Sequence, residues 1–122
     1  MTRTPRILIA AVAALALTFV AAGCGSAPPT EPPSISGTVT NYVADGTGGG
    51  SFLIENGTPG SSDYDIASVR VDSKTKIFDA TNDLATFADI AKGSNLDVWF
   101  TGPVAESYPV QATAGSIRIL GK

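Results

Sequence analysis

Downstream of residue 34, apolar and polar side chains alternate in steps of two over several short segments, and that period predicts strands. Residues 34–43 put Ile35, Gly37, Val39 and Val43 on one face, with Ser36, Thr38, Thr40 and Tyr42 on the other. Gly37 inside this strand predicts a bulge or sharp coil, as small barrels need where one strand serves both halves. Residues 51–55 make a short second strand through Phe52, Leu53 and Ile54. Residues 66–72 alternate most cleanly: Ala67, Val69 and Val71 point inward, while Ser68, Arg70 and Asp72 point out. Residues 75–78 extend the sheet after a turn. Residues 95–102 turn Leu96, Val98 and Phe100 inward and Asp97, Trp99 and Thr101 outward. A turn at Glu106-Ser107-Tyr108-Pro109 then leads to a last strand over 111–120, carrying Ile117 and Ile119.

The period changes at residues 83–92, where Leu84, Phe87, Ala88 and Ala91 make one helical stripe with Ile90 at its edge. Asn82 or Asp83 caps its start and Gly93 ends it. The predicted fold class is therefore all-β with one short helix. Three strands, a helix and two strands match a small five-stranded OB-like barrel (β-β-β-α-β-β), one domain over residues 34–122 with the helix plugging one end. A small β-sandwich is the alternative, and a lone helix in that place argues against it.

The N-terminal pattern is different in kind. An apolar run over residues 7–20 follows Arg3 and Arg6 and leads into small residues, which reads as a secretory signal peptide over 1–23. The run approaches the roughly 20 apolar residues that a membrane span needs, but no positive stop-transfer cluster follows it. Its ending, Ala21-Ala22-Gly23-Cys24, resembles the lipobox of bacterial lipoproteins, with Ala21 where leucine is commonest. That resemblance implies cleavage before Cys24, diacylglyceryl and palmitate-type acylation there, and a lipid-anchored protein on the extracytoplasmic face of the cell membrane. Each buried CH₂ of such a chain contributes about 0.8 kcal/mol to membrane association. Residues 24–33 then form a lipidated cysteine and a Pro-rich tether, extended at about 3.1 Å per residue where proline dominates. With Cys24, the only cysteine, lipidated, the processed chain has no free thiol and no intramolecular disulfide.

Charge and composition narrow the chemistry. The whole chain has a formal charge of −3. Arg3 and Arg6 precede Cys24, so residues 24–122 carry six basic against eleven acidic side chains, a balance of −5. No basic cluster stands out, which argues against nucleic acid as a partner. Histidine is absent. The usual general base, the commonest metal ligand and every Ser-His arrangement go with it, so the expectation is a non-enzyme without metal or cofactor. Asp45-Gly46-Thr47-Gly48-Gly49-Gly50 lacks the Lys-Ser/Thr of a phosphate loop and has too few carboxylates for calcium, so it reads as a hairpin connection. Asp63 and Asp65, around Tyr64, are a weak hint of metal.

Several segments in order carry a further resemblance: Gly37-Thr38-Val39, Ala67-Ser68-Val69-Arg70-Val71, Phe87-Ala88-Asp89-Ile90-Ala91-Lys92-Gly93, and residues 102–112 with Glu106-Ser107-Tyr108-Pro109-Val110-Gln111-Ala112 as the most specific part. Together they resemble the YobA-like family of small secreted bacterial proteins of unknown function. The resemblance implies an OB-like domain outside the cytoplasm and no particular activity.

Such barrels bind on the outer face of strands two and three with the adjoining loops. The candidate binding face comprises Trp99, Tyr42, Arg70, Arg118, Glu106 and Tyr108. An outward Trp either contacts a partner or packs on the barrel flank against Arg70 or Arg118. Tyr108 before a proline can instead close a turn by burying its ring, and Glu106 can bind free backbone amides. The leading expectation is a binding or interaction module holding an envelope glycan or a protein partner. A glycan hydrolase using Asp97 or Glu106 as acid and base, and a purely structural envelope protein, are the alternatives.

Overall fold

The hydrophobic alternation closes into a barrel. A computed structural model describes residues 27–58 and 60–121. The expected signal peptide, the lipobox-like segment and Cys24 lie outside the described residues. The strands are β1 (Ile35–Ala44), β2 (Gly50–Glu55), β3 (Ile66–Val71), β4 (Lys76–Phe78), β5 (Asn95–Ala105) and β6 (Val110–Gly121). β1 pairs antiparallel with β2 and with β5, β2 with β3, and β5 with β6. A parallel β3–β6 ladder shuts the ring, and β4 is the one extra strand, also parallel to β6. This is a closed five-strand barrel plus one strand, all-β and OB-like.

The core is the inward half of each period. Ile35, Val39, Phe52, Ile54, Ala67, Val69, Leu96, Val98, Ala114 and Ile117 are buried in one cluster. Each large aliphatic or aromatic member contributes about 1.5–3 kcal/mol through burial. β1 serves both halves as the glycine implies: Thr38 pairs with Asn95 on one side and with Glu55 on the other. A Cβ on Gly37 would collide with the Glu55 carbonyl. The β1–β2 register then shifts between Val39 and Asn41. That shift reverses the alternation, so Val43, expected inside, is 62% exposed. Tyr42, expected outside, lays its ring edge-on to Phe87 at 6.3 Å.

The predicted helix is replaced by a single 3-10 turn, Phe87–Asp89. Asp79 is the cause. Its carboxylate accepts from the N–H groups of Thr81 and Asp83 and from the Thr81 hydroxyl, winding residues 79–83 into a tight loop with Asn82 at φ 69°. Short polar side chains that capture local amides in this way compete with helix formation. Leu84 is consequently drawn into a bridge with Phe78 and stands 66% exposed rather than on an apolar stripe. Thr86 replaces Asn82 or Asp83 as the cap, its N–H donating to the Asp89 carboxylate at 2.9 Å. Phe87 and Ile90 are buried, so the short turn still closes the end of the barrel.

Trp99 does not present an open surface. By alternation it points away from the core, paired with Ser116, yet it is only 8% exposed. The cover is the chain's own Pro-rich segment, because the indole N–H donates to the Glu31 carbonyl at 2.8 Å. The Ser34 N–H donates to the Val98 carbonyl, and the Phe100 N–H to the Ser34 hydroxyl. Residues 31–34 thus continue the line of β1 along β5. Pro32 and Pro33 bring no amide hydrogens to that edge, which ends the ladder there.

Candidate functional site

Closure of the ring brings the outward residues of β2, β3 and β6 into one surface. Arg70 lies directly across from Ser51 on β2 and from Thr113 on β6. Ser68, one pleat away on β3, lies across from Gln111. Arg70 and these four polar neighbours line the floor of a groove of about 550 Å³. One wall is the end of β1 and its loop, through Val43 and Asp45; the other is Pro103, Val104 and Ala105 at the base of the β5–β6 hairpin. This is the face, with its two flanking loops, on which OB-type barrels hold ligands.

Both walls have local causes. In the β1–β2 loop the Asp45 carboxylate accepts from the Thr47 hydroxyl and N–H, while the Asp45 N–H donates to the Gly49 carbonyl. The hydroxyl bond first, then the backbone bond, holds the Asp45 carboxyl below its ordinary range, so it is a fixed negative charge at the rim. Gly50 closes the loop at φ 156°, where a side chain would strike the Val43 carbonyl. On the far side, Gly102 at φ 72° starts an irregularity between Thr101 and Ala105 that swings Pro103 and Val104 over the β6 face.

Of the six residues expected on a binding face, only Arg70 lines this groove. Tyr42 caps Phe87 at the plugged end, and Trp99 holds Glu31. Arg118 lies across from Asp97, its Nε buried without a hydrogen-bond partner among the described residues. Glu106 and Tyr108 sit on the β5–β6 turn, where Tyr108 is 74% exposed and its ring closes nothing. Asp97 accepts from the Ser36 hydroxyl at 2.6 Å. Among the described residues, no group of three or more His, Cys, Asp or Glu side chains is placed to share a metal ion.

Ser68 and Arg70 were legible as the outward members of one alternating strand. Ser51, Gln111 and Thr113 carry no such signal, because only the ladders of β2 and β6 on β3 bring them beside Arg70. Val43 was assigned to the opposite face.

Comparison with curated proteins and with solved structures finds no match. A family profile does match residues 49–121, which run from the end of the β1–β2 loop through β6 and include the groove floor. The chain therefore belongs to the family described as Protein of unknown function (DUF3221).

Proposed function

We propose that the protein is a lipid-anchored binding module outside the cytoplasmic membrane, using the Arg70 groove to hold an envelope component. The observation that carries this reading is the groove itself: a concave, polar floor between two loops of irregular backbone. The lipobox-like Ala21-Ala22-Gly23-Cys24 and the likeness to the YobA-like family support the location.

Hydrolysis of cell-wall glycan is the weaker reading. Glycosidases need two carboxyl groups about 5–9.5 Å apart across one bond. Among the described residues the groove lining has one carboxylate, Asp45. Asp97 and Glu106 fall near opposite ends of β5, whose intervening steps of about 3.3 Å each put them on the order of 25 Å apart.

Two substitutions test the proposal. Thr113→Trp fills the groove floor from an outward position, and it is expected to abolish retention of the protein by isolated envelope fractions without changing the thermal transition. Unchanged retention would sink the groove as the binding site, and no retention of the unmodified protein would favour a structural role. Cys24→Ser is expected to lose radiolabelled palmitate and to move from the membrane to the soluble fraction. Full labelling of that variant would remove the anchor.

A further inference from the structure

We infer that the ligand of this groove carries an anionic group set among hydroxyls, the chemistry shared by uronic-acid glycans and polyol-phosphate polymers. The inference rests on the binding reading above and names the ligand class for that site.

Among the described residues, Arg70 is the only cation lining the groove. Its guanidinium offers a rigid fork of N–H donors whose spacing matches a carboxylate or phosphate. No side-chain hydrogen bond among the described residues uses those donors, although Arg70 stands mid-strand between two ladders. Around it the small polar side chains Ser51, Thr113, Ser68 and Gln111 both donate and accept. With strands about 4.8 Å apart and same-face residues about 6.6 Å apart, they frame a patch of roughly 10 by 7 Å, the footprint of one or two sugar units.

The walls limit the alternatives. Val43, Pro103 and Val104 are apolar but include no aromatic ring, so the described lining offers no platform on which a neutral sugar could stack. Recognition is left to charge and hydrogen bonds. Asp45 at the rim repels an anion, so the anionic group lies at the Arg70 end and ligand hydroxyls face the β1–β2 loop. Residues 24–122 carry a balance of −5, so the molecule has no general attraction for polyanions. A polyanion that is retained must be held locally.

The test uses the full-length protein in detergent micelles at neutral pH, titrated with polygalacturonate, poly(glycerol phosphate) and neutral dextran. At least one charged polymer is expected to bind, with dextran at least about tenfold weaker. Arg70→Gln is expected to weaken the charged polymer about tenfold or more, as the loss of a charge-assisted hydrogen bond implies. Asp45→Asn is expected to strengthen it severalfold. Binding of polygalacturonate alone assigns a carboxylate and binding of poly(glycerol phosphate) alone assigns a phosphate; either upholds the inference. Dextran binding that survives Arg70→Gln but is lost in Thr113→Trp overturns the anion and leaves the groove standing. No binding of either charged polymer overturns the inference, while retention by envelope fractions decides the groove separately.

Discussion

A Cβ on Gly37 would run into the Glu55 carbonyl, and one on Gly50 into the Val43 carbonyl. Both glycines therefore mark places where one strand must pass another more closely than a side chain allows. Trp99 is the opposite case, a residue whose large side chain organises its neighbours. Its outward aim follows from the alternation of β5, but the aim does not decide its exposure, because the Glu31 carbonyl comes to meet the indole N–H. Trp99→Phe keeps most of the ring and removes that donor. It is expected to cost about 1 kcal/mol in urea unfolding, the typical worth of one such bond, and to make residues 27–33 more susceptible to proteolysis. Equal stability together with equal protection would show that the bond does not hold the segment.

At the scale of elements, the strands were legible and the helix was not. β1, β2, β3, β5 and β6 all lie where period-two alternation places them, because a barrel strand that buries one face and wets the other has to alternate. Residues 83–92 show a helical spacing of apolar side chains, yet spacing says nothing about competing local bonds. Asp79 fixes residues 79–83 in a tight loop, the Ala85 N–H donates to the Ile77 carbonyl, and Phe87 and Ile90 satisfy the barrel end from a single turn. The Thr81 hydroxyl first, then the Asp83 N–H, lowers the Asp79 carboxyl below its ordinary 3.8. A depressed folded value means that the ionised loop stabilises the fold fully above about pH 4 and loses this contribution as pH falls through the depressed value. Asp79→Asn keeps an acceptor oxygen but cannot titrate. Thermal melts between about pH 2 and pH 7 are expected to fall less steeply on the acid side for the variant. Superimposable profiles would show that Asp79 carries no such linkage.

At the scale of the whole molecule, β6 is the hub. It pairs with β5 along one edge, and with β3 and then β4 along the other. Where β3 gives way to β4, the Thr75 hydroxyl donates to the Ala114 carbonyl at 2.8 Å and keeps that edge satisfied. Opening β6 requires breaking the barrel closure and releasing the extra strand together. Amide hydrogen exchange is therefore expected to be slowest around Ala112, Ala114 and Ile117, at or near the global unfolding free energy. Slower exchange in β2 than in β6 would place the most stable unit elsewhere.

The same scale separates what the sequence by itself determined from what tertiary structure decided. Period, glycine placement and element order pointed to a small OB-like barrel, because burying one face of each strand is a local demand written residue by residue. The helix that also argued for it is only a 3-10 turn, though it closes the same end of the barrel. Period and glycine placement were enough for Arg70, Asp97 and Trp99 to be read as outward-facing. They could not tell which outward residues share a surface, since that depends on which strands become neighbours across the parallel β3–β6 closure. They could not foresee the register shift after Val39, which turned Val43 into the groove wall and Tyr42 onto Phe87. Nor could they foresee that a proline-rich segment would fold back over Trp99. A face is a property of one strand, whereas a site is a property of the pairing, and pairing is settled only when the whole core closes.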